Sequence, residues 1–172
     1  MIMRAKAYSL WLMPTGEVYN KFSDLIRRLA MEYSSPIFEP HVTLLGELMQ
    51  SEEDIIRKTG QLAEGKEPFP VTLTTIDYQD FYFRALFVKV EETEPLILLH
   101  NRTKEVFGMQ NIQVYMPHLS LLYGNFPQTA KERIIEGIGR NHPAQFTVNN
   151  IHLFKTGKQV NTWYKVKEFP FG

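Results

Sequence analysis

Two short runs of this 172-residue chain use nearly the same residues: Pro40-His41-Val42-Thr43-Leu44-Leu45 and Pro117-His118-Leu119-Ser120-Leu121-Leu122. Side chains on a strand alternate between its faces. His41 and Thr43 therefore share one face, and His118 and Ser120 share one, while Val42, Leu44, Leu119 and Leu121 point the other way. A polar pair on an otherwise apolar strand is costly to bury without partners. If the two strands meet at a cleft, two imidazoles and two hydroxyls converge there. Imidazole titrates near neutrality, so a neutral ring can take a proton from water while a protonated ring gives one to a leaving oxygen. Each role is worth about 10²–10⁴ in rate. Hydroxyls can donate to non-bridging phosphate oxygens, and one preorganised donor can matter by about 10²–10³. This set suits phosphodiester hydrolysis. In-line displacement needs base and acid on opposite sides of phosphorus, which a pseudo-twofold arrangement supplies. A strained five-membered cyclic phosphate is a good fit, because it needs no metal to be reactive.

Elements must then position these residues. The sequence predicts a first strand over Ala5–Met13, ended by Pro14-Thr15-Gly16. Phe22, Leu25, Ile26, Leu29 and Tyr33 recur at steps of three and four and predict a helix to Tyr33. His41–Gly46 is a short strand. Ser51 caps a helix that runs to about Glu64 and opens on three acids. Val71–Tyr78 and Arg84–Val90 are strands, Thr93–Phe107 a helix, His118–Tyr123 a strand and Thr129–Arg140 a helix. Two strands close the chain, Phe146–Phe154 and Thr162–Phe169. Both halves thus read strand-helix-strand-helix-strand, with one extra strand at the end. An internal repeat on this scale decides the fold class. The expectation is one domain over residues 1–172 with an α+β fold. It is bilobal, built of duplicated units at about 5–79 and 83–169, with antiparallel sheets lining a central cleft.

Composition narrows the function. Hydrophobic residues make up 44% and charged residues 22%, which excludes a disordered or fibrous chain. Nineteen basic residues balance nineteen acidic ones, so no broad basic field exists for long nucleic acid. The chain has no cysteine, which removes disulfides, thiolate metal sites and a thiol nucleophile. No His-x-x-x-His pair or comparable cluster offers the three or four ligands that zinc takes, and no glycine-rich loop precedes Lys-Ser/Thr. No metal and no cofactor are expected. Arg4 and Lys6 precede an apolar stretch, but Tyr8, Trp11, Pro14 and Glu17 follow where a signal peptide would need small residues. A cytoplasmic monomer without membrane association is expected.

The motifs and their setting resemble the 2H phosphoesterase superfamily, and more closely the plant and yeast type of cyclic nucleotide phosphodiesterase. The likeness spans Tyr8-Ser9-Leu10-Trp11-Leu12-Met13-Pro14, Phe38-Glu39-Pro40-His41-Val42-Thr43 and Tyr115-Met116-Pro117-His118-Leu119-Ser120-Leu121-Leu122-Tyr123. The resemblance implies a bilobal α+β fold around a water-filled cleft and metal-independent opening of cyclic phosphates. It implies ADP-ribose 1″,2″-cyclic phosphate or nucleoside 2′,3′-cyclic phosphates as substrates. It also implies that His41 and His118 are catalytic and that Thr43 and Ser120 bind phosphate.

Three further residues are candidates for substrate contact. Tyr123 belongs to the family-like stretch, yet strict alternation puts it opposite His118, so it reaches the cleft only if the strand bends or bulges. Trp11 and Phe83 are candidates to stack on a nucleobase. His100, His142 and His152 match no repeat and are read as structural or exposed. Two rival readings stay open: an RNA-end phosphodiesterase of the 2′-5′ RNA ligase type acting on short RNA ends, and a nucleotide-binding module without turnover. Nothing in the symmetric motifs says which histidine is the base.

Overall fold

The computed structural model describes residues 7–172, so Ala5 and Lys6 of the expected first strand lie outside the described residues. In chain order the elements are β1 (Ala7–Leu12), α1 (Gly16–Tyr33), β2 (Val42–Leu48), α2 (Glu52–Ala63) and β3 (Phe69–Asp77). A 3₁₀ turn (Tyr82–Arg84) leads to β4 (Leu86–Val90), α3 (Glu94–Phe107), β5 (His118–Leu122) and α4 (Gln128–Ile138). Then come β6 (Asn141–Val148), β7 (Asn150–Thr156), a second 3₁₀ turn (Val160–Thr162) and β8 (Tyr164–Pro170). Two helix ends show their local chemistry. Ser51 caps α2, its Oγ accepting from the Asp54 N–H at 3.2 Å. Gly108 ends α3 in the left-handed conformation that glycine adopts without strain.

The eight strands form one continuous antiparallel sheet in the order β6-β3-β4-β5-β2-β1-β7-β8. The two motif strands, β2 and β5, are its centre. β1 lies outside β2 as β4 lies outside β5. Beyond them the chain halves interleave. β3 joins β4 on one flank, while β7 and β8 join β1 on the other. Phe146–Phe154 is therefore not one strand: it breaks at Asn149, with β6 pairing on β3 and β7 on β1. Two strands separated by one residue can occupy opposite flanks only because the sheet curls.

Helices cover the face of the sheet that carries Val42 and Leu119, both fully buried. α1 packs on β5 and α3 on β2, so each helix crosses to the other half's motif strand. Phe22, Leu25, Ile26 and Leu29 of α1 and Leu96, Leu99 and Phe107 of α3 enter one continuous apolar core. This face is apolar apart from a few buried polar groups, His100 of α3 among them, which leaves the opposite face for the motif side chains.

Candidate active site

β2 and β5 meet through a single backbone pair, Val42 opposite Leu119. In an antiparallel register the next positions also oppose, so His41 sits across from Ser120 and Thr43 across from His118. Directly opposed residues are roughly 5 Å apart and diagonal ones roughly 7–8 Å. The four polar residues therefore surround one small patch, related by a local twofold through the Val42–Leu119 pair. The rings sense each other: the charge on His118 contributes to the lowered pKa of His41.

Both rings are held the same way. His41 Nδ1 donates to Glu39 O at 2.7 Å, and His118 Nδ1 donates to Met116 O at 2.8 Å. A carbonyl only accepts, so each Nδ1 carries hydrogen, and the neutral ring has its lone pair on Nε2. Among the described residues the sealed, unpaired nitrogens include His100 Nε2 and His152 Nδ1, but neither motif ring's Nε2. Those two Nε2 atoms remain for water and substrate.

A floor of aromatic rings supports the patch. Trp11 opposes Thr43 in the β1–β2 register, and Phe87 opposes Ser120 in the β4–β5 register. Each covers the diagonal histidine. Trp11 lies flat against His41, centroids 3.5 Å apart at 9°, while Phe87 meets His118 edge-on at 5.1 Å and 61°. Trp11 is 2% exposed, with Phe154 also stacked on it at 3.8 Å. It has no free face for a base, which corrects its expected stacking role; it is the platform of His41. Phe83 is half-buried at the rim, 5.1 Å from Tyr123 and 6.2 Å from Trp163. A base-stacking role remains open to it.

Tyr123 is turned toward Ser120, though only 3% exposed, for a reason that alternation alone hides. Leu86 pairs with Leu122, but Phe87 pairs with Ser120, so Leu121 is an extra residue, a bulge. The bulge returns Tyr123 to the face of Ser120. Its ring stacks on Phe38 at 3.9 Å, and its hydroxyl lies beside Ser120. Gly124 lets the chain turn away at φ +151°, where a Cβ would strike the Phe126 ring at 2.3 Å. The same bulge recurs in the first motif, where Leu10 pairs with Leu45 and Trp11 with Thr43, leaving Leu44 extra.

Electrostatics separate the two rings. Burial pushes His41 down to about 3, partly offset by its bond to Glu39 O and reinforced by His118. An imidazolium on Trp11 would gain about 2 kcal/mol of cation–π attraction. At about 1.36 kcal/mol per pH unit that is too little to bring the ring near neutrality, so His41 is neutral at pH 7. His118 is also lowered, first by burial and then by the positive charge of Arg84, but it is half-buried where His41 is 5% exposed. Arg84 supplies the basic side chain that neither motif carries. No spacing announces it, because it arrives from the 3₁₀ turn before β4. Trp163 also escapes sequence reading, since it belongs to no repeat, whereas Phe38 stands in the first motif where Tyr115 stands in the second. Among the described residues no three His, Cys, Asp or Glu side chains gather into a metal-ligand set. No described helix is long and apolar enough to cross a membrane.

Known proteins share this architecture and sequence pattern. The profile of the 2′-5′ RNA ligase superfamily matches residues 22–159. The chain is 25% identical over 171 residues to the cyclic phosphodiesterase of Arabidopsis thaliana, covering 95% of this chain and 94% of that protein. It is 25% identical over 189 residues to a 2′,3′-cyclic-nucleotide 3′-phosphodiesterase of Phaeosphaeria nodorum, covering 93% and 96%. In fold it is similar to the crystal structure of TT0787 of Thermus thermophilus, with TM-score 0.67, 17% identity and 96% and 97% coverage. It is equally similar to E. coli LigT complexed with 3′-AMP, with TM-score 0.67, 14% identity and 96% and 98% coverage.

Proposed function

Because the chain belongs to the 2′-5′ RNA ligase superfamily, we propose that it is a cyclic phosphodiesterase that opens small cyclic phosphates with its two histidines. The observation that carries this reading is the Val42–Leu119 register, which gathers two imidazole–hydroxyl couples around one patch with both Nδ1 atoms already engaged. His41, neutral at pH 7, takes a proton from water at Nε2 as the water oxygen forms its bond to phosphorus. The bond from phosphorus to one ring oxygen breaks. That oxygen receives the Nε2 proton of His118, whose charged form the arriving phosphate anion favours. The product is a phosphomonoester, and a proton exchange with solvent restores the pair. Thr43 and Ser120 donate to the non-bridging oxygens as their charge grows.

The substrate class is small cyclic nucleotides, with ADP-ribose 1″,2″-cyclic phosphate and nucleoside 2′,3′-cyclic phosphates the named candidates. The full-length likeness to cyclic phosphodiesterases and the balanced charge of the chain support small ligands over long RNA. Residues 5–79 and 83–169 are taken as repeat units of one domain. The matching order of strands outward from β2 and β5 supports this.

The test is a panel of 2′,3′-cyclic mononucleotides, ADP-ribose 1″,2″-cyclic phosphate and short RNA ending in a cyclic phosphate, each with and without EDTA. Phosphorus NMR should show the cyclic resonance converting to a monoester at equal rates in both conditions, with a bell-shaped pH–rate profile. A ligand that binds and stays cyclic would make the protein a binding module. Turnover confined to RNA would move it to RNA-end processing.

A further inference from the structure

Outside the catalytic patch one polar cluster has no part in the chemistry above. His100 of α3 is buried, and Tyr115 lies in the segment before β5. Their rings stack with centroids 3.7 Å apart at 7°. Each makes one hydrogen bond, and both go to the same stretch of β2. Tyr115 Oη donates to Thr43 O at 2.8 Å, and His100 Nδ1 donates to Leu44 O at 2.8 Å.

Those two carbonyls flank the extra residue of the first bulge. A bulge interrupts the ladder, bends the strand and re-aims nearby side chains. Beyond Val42 the strand has no paired residue on β5 either. Thr43 pairs with Trp11 on β1 but is followed at once by the unpaired Leu44, and the hydrogen bond it accepts from Tyr115 uses its carbonyl, which leaves Oγ1 free. Something must fix the peptides on either side of Leu44, the first of which carries the Thr43 carbonyl. A stacked pair anchored in α3 does so: the helix holds the imidazole, the imidazole holds the phenol, and each donates to one carbonyl. Both groups keep the hydrogen they donate. Burial raises the Tyr115 pKa and lowers that of His100. His100 Nε2 is sealed and unpaired, so a proton there would lack an acceptor.

We propose that His100 and Tyr115 are positioning residues that aim the Thr43 hydroxyl at the substrate phosphate by clamping the two carbonyls of the β2 bulge. This rests on the reading of Thr43 as a phosphate donor, and the test separates the two. Steady-state kinetics on a 2′,3′-cyclic mononucleotide are measured for Tyr115→Phe, His100→Leu, His100→Asn and Thr43→Ala, and for Tyr115→Phe combined with Thr43→Ala. Tyr115→Phe keeps the ring stack and loses only the donor. It should lower kcat about tenfold with KM nearly unchanged, as a misaimed transition-state contact does. His100→Leu should behave alike. His100→Asn should restore most of the rate, since its amide nitrogen can donate from nearly the position of Nδ1. In the Thr43→Ala background, Tyr115→Phe should cost almost nothing more. Full kcat in Tyr115→Phe, or an undiminished tenfold loss in the double variant, overturns the proposal. Thr43→Ala alone tests the underlying reading. Normal turnover there removes both, whereas a crippled Thr43→Ala beside an unaffected Tyr115→Phe removes the clamp only.

Discussion

The two motif strands share a backbone plan and differ in what surrounds it. In each, Pro precedes the histidine, Nδ1 bonds the carbonyl two residues back, an aromatic of the flanking strand covers the ring, and a bulge follows the hydroxyl. The differences are all in support. His41 lies flat on Trp11 and is almost covered, while His118 meets Phe87 by an edge and stays half-open. Thr43 keeps its hydroxyl uncommitted, while Ser120 Oγ already donates to Phe83 O at 3.1 Å. The first bulge is held by His100 and Tyr115. The end of the second strand is held by the turn before β4, through Ser120 and through the Gly124 N–H to Tyr82 O at 2.9 Å. Duplication places two similar couples, and unequal burial makes their rings differ in how readily they take a proton.

The largest expected effect tests the likeness. His41→Ala and His118→Ala should each lower kcat about 10³-fold while circular dichroism reports an intact fold. Full turnover in either variant would mean that the two strands are not partners in one reaction. The next effect tests the hydroxyls. Thr43→Ala should cost about 10² in kcat and Ser120→Ala about 10, because Ser120 must leave Phe83 O before it can serve phosphate. Equal losses would show that this bond exerts no hold.

Two smaller effects concern the rings themselves. His41 protonates readily in the unfolded chain, near 6.5, but in the folded protein only near about 3. Its burial therefore adds stability that is complete above pH 6.5 and is lost as pH falls from there toward 3. His41→Asn should flatten the acid limb of a Tm–pH curve more than His118→Asn does; matching curves would erase the asymmetry. Replacing the platforms should act least on the rate and most visibly by proton NMR titration. Trp11→Leu, by admitting water, should raise the His41 pKa further than Phe87→Leu raises that of His118.

Much of this is legible in the residues. Repeated His-x-Thr/Ser words, polar on one face and leucine on the other, point to both the chemistry and the strands that carry it. Element order follows from periodicity, as the α1 face of Phe22, Leu25, Ile26 and Leu29 illustrates. Alternation alone puts Tyr123 on the wrong face, because a bulge depends on what the neighbouring strand demands. Phe146–Phe154 reads as one strand because nothing local marks Asn149 as the point where the chain changes flanks. Trp11 reads as a ligand platform because aromatic residues look alike in sequence whether a base or a histidine lies on them.

What the chain determines by itself is a pair of imidazole–hydroxyl couples on two strands, an α+β alternation and a surface without a strong field. These depend on residue type and local period. Tertiary structure alone decides that the couples meet through Val42 and Leu119, that His41 is the covered ring and His118 the open one, and that Arg84 and the His100–Tyr115 pair stand beside them. Those outcomes depend on desolvation and on contacts between segments far apart in sequence, and neither has a local signature.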